Sequence, residues 1–266
     1  MRFAAMLFAL LLPVHAARAA DVTVGLRLAP PYVMEAADGF LTGLEYELVR
    51  ETLHRAGHRL VPRLLTFSRL IEDFRRGALP AFAPAHAGMN LQGCISDVLL
   101  VYQNIGLTLR QRDLLVENMQ QLGGLRIMAF QNARALLPGL SDAVQGNPDY
   151  VEVANQMLQV RALFSRRADI VVADRRLLYA LIAAPDSGLP AGTPLREHRL
   201  FAPSPYSVAF ASAELCQDFN RALAGLRASG DYDRLLQRYD PHPLANGQQR
   251  GEYLPLLLPT PRHLRS

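Results

Sequence analysis

The chain has no lysine, so all 28 of its basic residues are arginine. An all-arginine basic set reflects genome base composition rather than chemistry. The arginines are scattered along the chain, without the concentrated patch that a nucleic-acid module carries. The formal net charge of +4 falls to about +2 once Arg2 and Arg18 of the first twenty residues are set aside. That balance singles out no polyanionic partner. After residue 20 no apolar run reaches the ~20 residues that a membrane-spanning helix needs. The sequence has no Gly-x-Ser-x-Gly elbow, no phosphate-binding glycine loop and no Cys-x-x-Cys pair. The usual local signatures of a serine hydrolase, a phosphate-loop protein or a thiol oxidoreductase are therefore missing. Cysteine is nearly absent as well, with only Cys94 and Cys216.

The first twenty residues read as a secretory signal peptide. Arg2 is a short positive start, Phe3 to Val14 is apolar, and Ala17-Arg18-Ala19 is a small-x-small cleavage site. No cysteine follows the apolar stretch, so a lipid anchor is not expected. The exported chain should begin near Ala20 or Asp21. In an oxidising compartment an even cysteine count invites a bridge, the alternative being two buried thiols. A Cys94–Cys216 disulfide would close a long loop and stabilise the fold by about 2–4 kcal/mol.

The periodicity then sets out the elements. Residues 22–26 alternate as a strand and stop at Ala29-Pro30-Pro31-Tyr32, because proline continues neither a strand nor a helix interior. Residues 43–56 read as a helix with Leu44, Leu48 and Leu53 on one side and Gly57 as its C-cap. Strand 59–65, helix 69–76 and strand 79–83 follow. This β-α-β-α-β order implies a parallel sheet covered by helices. Strands are expected at 99–102 and 105–109, then a second β-α unit from 125 to 137. Residues 152–167 read as an amphipathic helix with Val153, Met157, Val160 and Phe164 on one face. The stretch ADIVVADRR, 168–176, is a buried-looking strand that ends on a carboxylate, Asp174, and runs into helix 175–183. Strands at 196–201 and 207–211 precede two closing helices, 214–228 and 232–239. The last stretch, 245–266, reads as a tail.

Four segments in this order resemble the type II periplasmic solute-binding proteins, the amino-acid-type binding components of ABC importers. They are APPYVMEAADGFLTGLEYELV; LTFSRLIEDFRRG; the unit from LRIMAFQNARALL to ADIVVADRRLLYAL; and FNRALAGLRASGDYDRLLQRY. The resemblance covers most of residues 21–240. It implies an α/β fold of two lobes, each a mostly parallel sheet flanked by helices, with a ligand cleft between them that closes by hinge bending. The implied organisation is a signal peptide (1–20), lobe 1 (21–105), lobe 2 (106–203), a return to lobe 1 with the closing helices (204–244) and a tail (245–266).

The resemblance also implies site residues. Asp174 matches a position where an acid commonly binds the ligand's amino group, and as Asp before a helix it is equally a favoured N-cap. Gln131 and Asn132 follow a strand and open a helix, where free backbone N–H groups can bind a carboxylate. Tyr32 and Phe67 follow lobe 1 strands and are expected to form aromatic walls, the alternative for each being core packing. Arg69 either faces a ligand carboxylate or lies in solvent. The family usually carries a Thr and an Arg in the segment that here reads PAHAGMNLQGCISDVLLVYQN, and this segment has neither. His86 and Asn90 are its polar residues placed to substitute for them.

His54 and His58 are four apart, but Gly57 intervenes and no third ligand is near in sequence, so neither a metal nor a cofactor is expected. Some proteins of this fold are periplasmic dehydratases, which need an acid or a Lys against the substrate. Glu35, Glu45 and Asp174 could supply an acid, but nothing marks one as catalytic. The expectation is a periplasmic, non-enzymatic, monomeric solute-binding protein. Its partners would be a small polar, amine-bearing ligand and an inner-membrane ABC permease, with no nucleic acid. A sensor or accessory protein without a transport role, or an enzyme of this fold, are the alternatives.

Overall fold

A computed structural model describes residues 20–36, 38–184, 187–190 and 192–239. The expected signal peptide, apart from Ala20, and the expected tail lie outside the described residues. The first part of the chain forms β1 (Asp21–Leu26), the short strands β2 (Met34–Glu35) and β3 (Leu41–Thr42), α1 (Leu44–Arg55), β4 (Arg59–Leu64), α2 (Phe67–Arg75), β5 (Ala81–Ala85), β6 (Cys94–Ile95) and β7 (Leu100–Tyr102). A second group follows: β8 (Asn104–Leu109), β9 (Ile127–Phe130), α3 (Ala133–Leu136), α4 (Leu140–Ala143), β10 (Tyr150–Val153), α5 (Met157–Phe164), β11 (Ile170–Asp174), α6 (Arg175–Ala183) and β12 (Leu195–His198). The described chain closes with β13 (Ser204–Phe210), α7 (Ala213–Ala228) and α8 (Asp231–Tyr239).

These elements make two sheets. The first has the order β4-β1-β5-β13-β6, with β7 also paired to β13. Strands β4, β1 and β5 are parallel, and β13 runs against them. The second sheet has the order β10-β9-β11-β8-β12. There β10, β9 and β11 are parallel, while β8 and β12 are antiparallel. The chain passes from the first sheet to the second at Gln103 and returns between β12 and β13. The molecule is a two-lobe α/β protein.

Helices cover both faces of each sheet, which explains the apolar strands. In β11 the side chains alternate, as strand geometry requires. Ile170 and Val172 pack with Ile127, Ala129 and Leu140 on one face. Val171 and Ala173 pack with Leu107, Val160 and Leu178 on the other. A strand buried on both faces reads as a continuous apolar run. In the first lobe Val24, Leu48, Phe210 and Phe219 share one core, and Leu70, Phe74, Leu79 and Phe82 form a second core under α2.

The closing helices pack on α1. Phe219 is fully buried, and the next residue, Asn220, accepts a hydrogen bond from the Asp97 amide at 2.9 Å through its side-chain carbonyl. Cys94 of β6 and Cys216 of α7 form a disulfide.

One expected element is different. Residues 152–153 belong to strand β10, which pairs in parallel with β9, and the helix begins only at Met157. Tyr-Val-Glu-Val is β-branched and aromatic, and an open sheet edge is available to it, so pairing overrides the helical spacing of Val153 and Met157. Asn155 accepts a hydrogen bond from the Met157 amide at the new helix start. The paired short strands β2 and β3 lie where only a turn at Asp38-Gly39 is expected.

Candidate functional site

A cavity of about 330 Å³ lies between the lobes. It sits beyond the carboxyl ends of β1, β9 and β11, where ligands of open α/β sheets bind. Its walls come from both lobes and include Tyr32, Phe67, Gln131, Asn132 and Asp174.

Tyr32 is set by the turn after β1. Gly43 lies at φ 118°, and a Cβ there would collide with the Tyr32 carbonyl. Only glycine allows that close approach at this backbone angle. It lets the amides of Leu44 and Glu45 donate to the carbonyls of Pro31 and Tyr32, each at 2.9 Å. The Tyr32 ring then stacks on Tyr102 at 4.1 Å, nearly parallel. Its hydroxyl donates across the cleft to Asp174 Oδ1 at 2.6 Å. Burial first, and the facing Asp174 charge second, push the Tyr32 hydroxyl well above its usual pKa.

Asp174 ends β11 because its carboxylate serves three partners. Besides Tyr32, it accepts from the Leu177 amide at 3.1 Å, capping α6, and from the Gln103 amide at 3.1 Å at the lobe crossing. It is only 6% exposed. Burial raises its pKa, opposed by the nearby Arg176 charge and by these hydrogen bonds. The carboxylate is thus a cap and an interlobe tie, with three of its acceptor sites directed at the protein itself.

Asn132 is in the left-handed region at φ 67°, which Asn tolerates better than most residues. The open helix start expected at Gln131 and Asn132 is already taken. The Glu152 carboxylate accepts from the Asn132 amide at 2.7 Å and the Arg134 amide at 2.9 Å, with the Tyr150 hydroxyl also donating to it. An internal anion therefore occupies the place expected for a ligand carboxylate. The reason is β10: as a strand beside β9, it carries Glu152 to the end of α3.

Arg69 also differs from the ligand-facing expectation. It does not line the cavity. Its guanidinium pairs with Asp73 at 2.8 Å along α2, and Arg76 joins the same carboxylate at 2.7 Å. The four-residue spacing places Asp73 directly below Arg69, and this local pairing wins. His86 does line the cavity, edge-on to Tyr206 at 5.9 Å, and burial lowers its pKa. Asn90 ends a short turn outside the cavity lining.

Several lining residues were not singled out from sequence. Tyr102 and Tyr206 lie 4.6 Å apart beside the lobe crossing, and Asn104 opens β8 there. Tyr206 falls at the start of the expected return to lobe 1, which could have marked it. Arg27, directly after β1, lies over the Phe67 ring at 5.8 Å and also lines the cavity. Behind it Glu45 is nearly fully buried and accepts a hydrogen bond from Tyr102 at 3.1 Å. Burial raises the Glu45 pKa to about 7, against the opposing charge of Arg27. Among the described residues no group of three or more His, Cys, Asp or Glu side chains is placed to hold a metal ion.

Comparison with known proteins gives the fold an external reference. No family model matches the chain, and no curated protein does. Solved structures do match. A histidine kinase sensor domain with similarity to periplasmic binding proteins aligns at TM-score 0.67 and 20% identity, over 82% of this chain and 95% of the other. The ligand-binding core of GluR0 in complex with L-glutamate aligns at 0.67 and 16%, over 85% and 99%. The arginine-, lysine- and histidine-binding protein ArtJ from Geobacillus stearothermophilus aligns at 0.65 and 16%, over 82% and 94%. At these identities the likeness is one of fold: this chain has the two-lobe periplasmic-binding-protein architecture.

Proposed function

We propose that this chain is a periplasmic solute-binding protein that holds a small polar ligand between its lobes for an ABC-type importer. The observation that carries this reading is the interlobe cavity, lined by aromatic and polar side chains from both sheets. A cavity of about 330 Å³ falls within the range of small-molecule sites. The names of its structural neighbours, binders of basic amino acids and of glutamate, support a binding role. The signal-like start and the Cys94–Cys216 disulfide support an exported, oxidising location. The same proposal divides the chain into lobe 1 at 21–105 and 204–244 and lobe 2 at 106–203, acting as a monomer by binding rather than by covalent chemistry.

A sensor or accessory role is the second reading. The likeness to a histidine kinase sensor domain favours it. Both readings require a ligand; they differ in whether the bound lobes meet a permease.

The test is a thermal-shift screen of the exported chain against amino acids, polyamines, organic acids and small aromatic compounds. A ligand at one hundred times its Kd should add about 2.7 kcal/mol of stability, which is readily seen. No shift with any compound, in folded protein free of co-purified ligand, would contradict the reading.

A further inference from the structure

Resting on the solute-binding reading above, we infer that the cleft selects a small carboxylate with a flat apolar body, anchored by Arg27, and makes no use of a ligand amino group. Three features of the cleft point to this chemistry.

The acid that could hold an ammonium group is engaged. Asp174 already receives hydrogen bonds from Tyr32, Gln103 and Leu177 and is 6% exposed. Tyr32 and Leu177 fill Oδ1, so an incoming ammonium would find only the part of Oδ2 that the Gln103 amide leaves, on a carboxylate that is nearly buried. The amides of Asn132 and Arg134 are likewise held by Glu152.

The cation is different. Arg27 is half-buried, lines the cavity, and makes no hydrogen bond or ion pair among the described residues. Its guanidinium carbon lies over the Phe67 ring, 5.8 Å from the centre. A guanidinium so placed keeps its edge free for a carboxylate, which it can grip with two parallel hydrogen bonds. Glu45 lies behind it as a counter-charge. Its pKa of about 7 means that this carboxyl is largely protonated in mildly acidic solution and then leaves the Arg27 charge uncompensated.

The partly exposed aromatic walls are Tyr206 and Phe67 of one lobe and Phe130 of the other, with Tyr206 braced from behind by the buried Tyr32–Tyr102 stack. Aromatic faces favour planar groups. His86, with its pKa lowered by burial, Asn104 and Gln131 can hydrogen-bond a ligand without adding charge.

Isothermal titration of the exported chain tests the inference. The probes are benzoate, phenylacetate and trans-cinnamate, each beside its carboxamide, together with benzylamine and L-phenylalanine. At least one carboxylate should bind, at least tenfold tighter than its amide and tighter than benzylamine or L-phenylalanine. Arg27→Gln should lower that carboxylate's affinity at least tenfold and the amide's by much less, which shrinks the carboxylate-to-amide ratio. Arg27→Lys, which keeps the charge but loses the planar fork, should fall between, and it serves as the readout if Arg27→Gln does not fold. Three results would overturn the inference: tighter binding of benzylamine or L-phenylalanine; an unchanged carboxylate-to-amide ratio in both Arg27 variants; or silence of every carboxylate while the wider screen yields another ligand. In that last case the solute-binding reading stands. Silence of the whole screen removes both.

Discussion

Glu45 shows how a single side chain is set by what surrounds it. It lies in the first turn of α1, and its titratable or charged neighbours include Tyr102, which donates a hydrogen bond, Tyr206, and Arg27, which attracts it without forming an ion pair. Burial outweighs both, and the carboxyl titrates at about 7 rather than at its ordinary 4.5. The folded state therefore keeps a proton that the unfolded chain has released. Below about pH 4.5 the group is neutral in both states and costs nothing. Between 4.5 and 7 stability is lost as the unfolded chain ionises, and above 7 the loss is complete. A shift of this size corresponds to about 3 kcal/mol. Glu45→Gln removes that loss. Urea denaturation of both proteins from pH 4.5 to 8 should show the variant gaining on the wild type by about 3 kcal/mol up to pH 7 and then levelling. A constant difference across the range would contradict the assignment. On the inferred Arg27 anchor, carboxylate binding should be tighter on the acid side, where Glu45 is neutral and does not offset the Arg27 charge.

At the scale of elements, Asp174 joins three parts of the fold: the end of β11, the start of α6 and the Tyr32 turn of the other lobe. Asp174→Ala removes an N-cap, typically ~1 kcal/mol. It also leaves the Tyr32 hydroxyl and the Gln103 amide without their acceptor, each costing roughly 1–3 kcal/mol if still buried. Relief from burying a carboxylate offsets part of this. The net expectation is a loss of about 2–4 kcal/mol in a urea melt, with an unchanged slope; a change below about 1 kcal/mol would show that the carboxylate ties nothing together. The sequence displays Asp174 plainly, since an apolar run ending on an acid before a helix is visible from residues 168–176 alone. Its partner is not visible, because Tyr32 lies 142 positions away. Glu152 is hidden for another reason. Val153, Met157 and Val160 keep helical spacing, and nothing local reveals that a sheet edge will claim residues 150–153. Arg27 is inconspicuous in the sequence because it directly follows a strand whose alternation is carried by Val22 and Val24.

At the scale of the whole molecule, the alternation of strand and helix made the α/β fold legible. The strand buried on both faces, β11, shows itself as the run Ile170-Val171-Val172-Ala173, and the spacing of Leu44, Leu48 and Leu53 marks a helix that packs on the first sheet. The cleft was legible as a location, because strand ends gather there. Its chemistry was less so, because hydrogen bonds between distant residues decide which groups remain for a ligand. Tyr102, Gln103 and Asn104 lie together at the lobe crossing: Gln103 bonds the carbonyl of Phe201 on the returning connection at 2.9 Å, and Arg175 donates its amide to the Gln103 carbonyl at 2.8 Å. Ligand held between lobes must therefore be felt on both sides of this crossing.

Amide hydrogen exchange of the chain from Asp21 onward, with and without a ligand found by the screen, tests that claim most directly. Closure on a ligand should slow exchange together at the Arg27–Val33 turn of lobe 1, at Phe130–Asn132 of lobe 2 and at the Gln103–Asn104 crossing. Protection confined to one lobe, or to a surface away from the cavity, would contradict a site between the lobes.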